Sequence, residues 1–164
     1  MRSLINFDES PSEPRWVAVN DDVMGGCSSG RSTLNDGMLH FSGALSLANN
    51  GGFASVRTVD YAVNLSKVSA LVLRIRGDGR RYQLRLTTDA QYRGISISYS
   101  AGFESVADEW AEIRLSLDSL QPSVRGTVLA GPPFDRSQVR QIGFLVGDKQ
   151  AGPFSLAIDW IGVD

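Results

Sequence analysis

The stretch "WVAVNDDVMGGCSSG", Trp16 to Gly30, gathers most of the side chains in this chain that could do chemistry. Gly26-Cys27-Ser28-Ser29-Gly30 has the G-x-S-x-G spacing of a nucleophile elbow, in which a serine sits on a strained turn between a strand and a helix. The serine needs a base, and His40 is the only histidine. The residues after the motif, "RSTLNDGMLHF", form a hairpin pattern and not a helix, and its register puts His40 opposite Thr33. Cys27 as a nucleophile would require the same base. The residue types of a hydrolase are present without its context, so the expectation is a protein that is not an enzyme.

Asn20, Asp21 and Asp22 offer hard oxygen ligands of the kind calcium takes. Adjacent carboxylates in an extended segment point in different directions, however, and the spaced D-x-D-x-D-G loop is absent. The structural alternative is that Asn20 and Asp21 hydrogen-bond loop amides while Gly25 and Gly26 permit positive φ or close packing. That alternative is favoured, with no metal and no cofactor expected. It predicts that a β-branched residue at Gly25 or Gly26 costs stability. In "LANNGGFASVR", Asn50 with Gly51 and Gly52 reads as a plain turn or as a ligand-approach loop with unobstructed amides. No G-x-G-x-x-G after a strand, no Walker loop and no H-E-x-x-H occurs.

The elements that must position these residues read as strands. From about residue 38 the pattern alternates with period two. In "ALVLRIRGDGRRYQLRLTT", Leu71, Leu73 and Ile75 and then Tyr82, Leu84 and Leu86 form one apolar set. Asp78-Gly79 suggests a type I′ hairpin turn, which would set Ile75 opposite Tyr82 and Arg74 opposite Gln83. Arg74, Arg76, Gln83 and Arg85 would then share one outer face and want acidic neighbours, either the chain's own or a partner's. "SLINF", "STLNDGMLHFSGALSL" with its Asp36-Gly37 turn, "FASVRTV", "RGISISYS", "WAEIRLSL", "QIGFLVG" and "FSLAIDWIGV" complete roughly ten strands. Single helical turns are expected near Asp118 to Gln121 and Asp135 to Val139, each opened by an aspartate. Loops at Ser10 to Pro14 and Gly131 to Pro133 look like connections across a sandwich.

Composition limits the function classes. The chain has 164 residues, 42% hydrophobic and 21% charged, enough for one compact domain. A net charge of −2 argues against a general nucleic-acid binder. One Cys27 and one His40 leave no disulfide and no structural zinc set. "MRSLINFDES" carries no signal pattern and no apolar run reaches membrane length, which predicts a cytoplasmic protein without membrane insertion. All basic residues except Lys67 and Lys149 are arginines, either a recognition surface for carboxylates and phosphates or a compositional bias.

Taken together, "WVAVNDDVMGGCSSG", "FSGALSLANNGGFASVR", "RIRGDGRRYQLRLTT" and "IGFLVGDKQAGPFSLAIDWIGVD" resemble the complex I intermediate-associated protein 30 family over essentially the whole chain. "PSVRGTVLAGPPFD", with Arg125, Gly126, Pro132 and Pro133, fits the same order. The resemblance implies an all-β jelly-roll β-sandwich of galactose-binding-like type, akin to non-catalytic carbohydrate-binding modules. It also implies an assembly-factor or chaperone-like role in which assembly intermediates of respiratory complex I are the protein partner. The family motifs fall on Trp16, Asn20, Asp21, Val23, Met24, Gly25, Gly26 and Ser28, then on Asn50, Gly51, Gly52, Phe53 and Arg57. They continue on Gly77, Asp78, Gly79 and Tyr82, and end on Gly143, Asp148, Lys149, Gly152, Pro153, Phe154 and Trp160. Without the long N-terminal extension of the mitochondrial members, the chain looks like a bacterial relative.

These residues suit two modes of binding. A protein partner would use Arg74, Arg76, Gln83 and Arg85 or the first two motif loops, with Trp16, Asn20, Asp21, Met24, Asn50, Arg57, Asp148 and Lys149 as binding candidates. A glycan would instead need at least two exposed aromatics, from Trp16, Tyr92, Tyr99, Phe103 and Trp110, beside a groove with carboxylates. Gly25, Gly26, Gly51, Gly52, Asp78 and Gly79 are assigned to shaping loops.

Overall fold

A computed structural model describes residues 1–8 and 14–164, so of the Ser10 to Pro14 loop only Pro14 lies among the described residues. The side chains of Val23, Met24 and Asn50 also lie outside them, and with these go the binding roles expected of Met24 and Asn50. The fold is the expected all-β sandwich, built among the described residues from thirteen strands in two antiparallel sheets. The strands are β1 (Arg2–Asn6), β2 (Arg15–Asn20), β3 (Ser29–Asn35), β4 (Met38–Leu45), β5 (Ala54–Val59), β6 (Ala70–Arg76) and β7 (Arg81–Tyr92). Then come β8 (Ile95–Glu104), β9 (Trp110–Ser116), β10 (Gln121–Val124), β11 (Thr127–Val128), β12 (Gln141–Val146) and β13 (Gly152–Val163).

One sheet runs β3-β4-β13-β6-β9, with β1 pairing the second half of β13; the other runs β11-β10-β8-β7-β12-β5-β2. Alternation explains the core. Leu39 and Phe41 on β4, Leu73 and Ile75 on β6 and Ile158 and Ile161 on β13 are buried from one side. Val56 on β5, Tyr82, Leu84 and Leu86 on β7, Ile97 and Tyr99 on β8 and Phe144 on β12 close the core from the other. Burying each such side chain contributes roughly 1.5–3 kcal/mol. No helix among the described residues is long and apolar enough to cross a membrane.

The hairpin at Asp36-Gly37 forms as expected, with both residues at positive φ and Thr33 paired to His40. The hairpin at Asp78-Gly79 does not form. β6 and β7 lie in different sheets, β6 between β13 and β9 and β7 between β8 and β12. A two-residue I′ turn needs positive φ at both centres, and only Gly79 has it. Asp78 instead uses its carboxylate: Oδ1 accepts from the Arg80 amide at 3.1 Å and the Tyr82 hydroxyl at 2.9 Å, and Oδ2 from the Ser155 amide at 2.8 Å. That hook ties the chain to β13 where it crosses from one sheet to the other. Strands stacked across a core and strands paired in a hairpin bury the same alternate residues, so periodicity alone does not separate them.

Three strands lie beyond the ten expected: β2, read in the sequence only as part of a motif loop, and β10 and β11, which are short. The two helical turns are found at Leu117–Ser119 and Arg136–Gln138. Asp135 caps the second as expected, whereas Ser116 and not Asp118 caps the first, because Ser116 precedes the turn and Asp118 is inside it.

Candidate functional site

The opening motif is organised around Asp21, which is fully buried. β2 ends at Asn20 and the chain turns through Asp21–Met24, with Gly25 at φ +86 closing the turn. The turn points the Asp21 carboxylate inward. Oδ1 accepts from the Ser28 amide at 2.9 Å; Oδ2 accepts from the Ser28 hydroxyl at 2.7 Å and from the Gly52 and Phe53 amides at 2.6 and 3.3 Å. Burial opposes its ionisation, but the bonds from the Ser28 hydroxyl and the Gly52, Ser28 and Phe53 amides outweigh it and hold the carboxyl below its ordinary pKa. Its acceptor sites face protein donors, whereas Asp22 is exposed, so the two adjacent carboxylates do not converge as a calcium site would need.

The glycines fit around that carboxylate. A Cβ at Gly26 would stand 2.6–2.7 Å from the Asp21 oxygens, and one at Gly51 would stand 2.5 Å from Oδ2. Asn20 departs from the expected role: its Nδ2 donates to the Gly30 carbonyl at 3.1 Å, so it serves a carbonyl and not an amide. The Ser28 hydroxyl accepts from the Ser46 amide at 2.9 Å, while the His40 Nε2 lies 3.2 Å from the Asn35 carbonyl at the far end of the β3–β4 hairpin. Ser28 and His40 do not meet.

The third and fourth motifs meet each other in the same way. Arg80 Nη1 donates to Asp148 Oδ1 at 2.8 Å and to the Gln150 carbonyl at 2.7 Å. The pair is nearly buried, with side-chain exposures of 12% and 7%. Asp148 is therefore a structural residue, not an exposed binding group. The Tyr82 phenol, buried and bonded to Asp78, has its pKa pushed well up by desolvation and by the Asp78 charge.

These two knots hold the loops 47–53 and 147–149 above the end of the seven-stranded sheet where β5 begins and β12 ends. Between those loops and the Arg125-Gly126 turn lies a cleft of about 710 Å³ over the sheet's outer face. Its floor is set by strand register. One rung runs Val17, Arg57, Gly143, Arg85, Ser100 across five strands. Gly143 has no side chain there, and a Cβ would press 2.7 Å against the Val56 carbonyl, so the floor between Arg57 and Arg85 is bare backbone. Arg57, Arg125 and Lys149 are exposed and Arg85 is half-buried; all four line the cleft. Burial lowers the pKa of the Arg85 guanidinium, and its Nε donates to Gln83 Oε1 at 3.2 Å. None of the four forms an ion pair among the described residues. Among the described residues, the single carboxylate in the lining is the occupied Asp21.

The expected arginine face is thus divided. Gln83 and Arg85 line the cleft, while Arg74 and Arg76 lie on the other sheet, where both guanidinium groups sit over the Trp110 ring at 5.1 and 5.2 Å. Arg74 also pairs with Asp159 at 3.3 Å, so there the chain's own carboxylate supplies the neighbour. The aromatics expected for sugar stacking are placed elsewhere. Trp16 packs inward against Phe7 and Phe144, Tyr99 and Phe103 are buried, Trp110 is on the opposite sheet and Tyr92 sits at the tip of the β7–β8 hairpin. Sequence reasoning missed Thr87, Ser96, Ser98, Arg125 and Gln141 as cleft residues. The polar alternation of β7 and β8 marked an outer face without showing which loops wall it.

The family described as Complex I intermediate-associated protein 30 matches residues 5–158. The mouse protein named "Complex I intermediate-associated protein 30, mitochondrial" is 27% identical over 187 aligned residues, covering 99% of this chain, which spans 56% of that relative's length. A family 11 carbohydrate-binding module of Clostridium thermocellum, solved with a β-1,3-1,4-mixed-linked tetrasaccharide, superposes with a TM-score of 0.71 at 14% identity. That likeness covers 99% of this chain and 94% of the module. A family 30 module of a Clostridium thermocellum cellulosomal cellulase gives 0.61 at 14% identity, covering 92% and 91%. At such identities the likeness is one of fold, a galactose-binding-like β-sandwich.

Proposed function

The chain belongs to the complex I intermediate-associated protein 30 family, and from that premise we propose that it is a non-catalytic, chaperone-like binding module that holds a polypeptide partner in the cleft of its seven-stranded sheet. One observation carries the reading: the cleft sets cations, amides and hydroxyls beside aliphatic side chains such as Leu47 and Ile95, with no exposed aromatic platform on its floor among the described residues. Phe53, half-buried, belongs to the wall loop. Sugar recognition on such a surface usually rests on an aromatic ring facing the pyranose, and the residues expected to supply one point elsewhere. Polar groups on a rigid sheet suit instead the carboxylates and amides of a protein segment. The mouse relative's name points to respiratory complex I intermediates as the partner. The cytoplasmic location expected from the sequence belongs to the same proposal.

A glycan is the second reading, favoured by superposition on a module solved with a bound tetrasaccharide. The test is affinity purification from the native host with brief cross-linking, run beside a glycan array. Respiratory subunits that co-purify with the wild type and are lost on Arg85→Ala support the proposal. Saturable glycan binding without any protein partner overturns it.

A further inference from the structure

Four cations and, among the described residues, no available carboxylate make the cleft the opposite in sign to the molecule, whose formal net charge is −2. A guanidinium held half-buried without a counter-ion loses part of its hydration with no opposite charge to offset the loss. Arg85 is in that position. Its Nε is spent on Gln83, leaving the two Nη groups of the fork without a partner among the described residues, and Gly143 beside it adds no side chain to cover them. Elsewhere the chain pairs its partly buried arginines, Arg80 with Asp148, Arg136 with Asp118 and Arg74 with Asp159, so the unpaired state of Arg85 is particular to the cleft.

Resting on the reading that this cleft holds a polypeptide, we infer that the segment it takes is acidic and extended, with carboxylates on alternate residues received by Arg85 and Arg57. The two arginines stand two strands apart across Gly143, about 9.5 Å between their backbones. In an extended peptide the side chains of residues i and i+2 project from one face about 6.5–7 Å apart. Arginine side chains long enough to lean inward from either side bridge that difference, and each planar fork matches a carboxylate bidentately. Lys149 and Arg125, at the two ends, extend the positive field along the segment and steer its approach. Gln83 and Gln141 on the floor present side-chain amides to the peptide backbone. An acidic oligosaccharide would share the carboxylates, but its rings would lie on a floor without aromatic faces. A nucleic acid would find phosphate contacts and no aromatic floor on which to stack its bases.

The test is fluorescence anisotropy with a labelled short peptide of alternating glutamate and serine. A lysine-serine peptide and tetragalacturonate serve as comparators, at about 50 and about 200 mM salt. The expected result is saturable binding of the acidic peptide alone, weakened at the higher salt. Arg85→Ala and Arg57→Ala should each weaken it about tenfold or more, and Arg74→Ala on the other sheet should leave it unchanged. Melting temperatures within a degree or so of the wild type would show that the variants fold; if Arg85→Ala does not, the exposed Arg57→Glu and Lys149→Glu carry the test. No saturable peptide binding, or binding insensitive to Arg57 and Arg85, overturns the inference. Binding of tetragalacturonate in place of the peptide overturns it as well. A photo-cross-linker in place of Ser98 separates the two levels. If it captures a complex I subunit while the acidic peptide fails to bind, the protein-binding reading stands and the acidic-segment inference falls.

Discussion

The Asp21 carboxylate accepts a hydrogen bond from the Gly52 amide at 2.6 Å, joining the end of β2 to the loop that walls the cleft across thirty-one residues of chain. A buried charge is tolerable only when donors surround it, and here the donors come from both glycine-bearing motifs. The charge of Asp21 is thus the reason that the two motifs belong together.

Asp21→Asn should lower stability by about 2–4 kcal/mol at neutral pH, since the amide group turns a donor toward backbone N–H groups that need acceptors. The effect is linked to pH with a definite sign. Because the folded-state pKa is depressed below the ordinary value of 3.8, the stabilisation is fully present above that value. It is lost as pH falls through the folded pKa. Urea denaturation across the acid range should therefore show the wild type converging on the variant below about pH 3.8 and separated from it above; a pH-independent gap would remove the charge from the explanation.

Gly26→Val should destabilise by about 2 kcal/mol or more, because the new side chain must displace the carboxylate that organises the turn. Gly25→Val has open space around it but forces a β-branched residue to φ +86, at a cost of about 1–2 kcal/mol. Thermal melts rank the two. An unchanged melting temperature for Gly26→Val would show that the loop does not depend on this close approach.

Arg80→Met should cost about 3 kcal/mol, since it leaves Asp148 buried with only the Gln150 amide as a donor. The double variant Arg80→Met with Asp148→Leu should recover part of that loss, as no buried charge remains. Chemical denaturation of the single and double variants provides the cycle, and additive losses would deny the coupling.

Ser28→Ala should destabilise by about 1–2 kcal/mol, removing one donor from Asp21 and one acceptor from the Ser46 amide. A fluorophosphonate probe should leave Ser28 unlabelled by mass spectrometry, because its hydroxyl is tied to a carboxylate and His40 is at the other end of the hairpin. Labelling at Ser28 would restore the nucleophile reading.

Local chemistry was legible in the sequence wherever a short-range rule decides the outcome. Period-two alternation located the buried faces of β6 and β7, Asp36-Gly37 fixed a hairpin, and Asp135 capped a turn. The failure of an elbow at Ser28 was equally visible, because a hairpin comes after it where a helix would be needed. Which alternating strand faces which was beyond the sequence. β6 and β7 bury the same residues whether they pair or oppose one another; pairing of β6 with β13 and β9 and of β7 with β12 and β8 decides for opposition, and the Asp78 carboxylate ties the crossing to the Ser155 amide. That choice moved Arg74 and Arg76 to one exterior and Arg85 to the other, beside Arg57, a neighbour from a distant stretch of chain. Residue types and alternation are properties of neighbours along the chain, so the sequence by itself determined ten of the strands, the Asp36-Gly37 turn and the identity of the charged groups. The cleft is made by strands that meet only through long-range pairing, and only the tertiary structure could decide which cations share it.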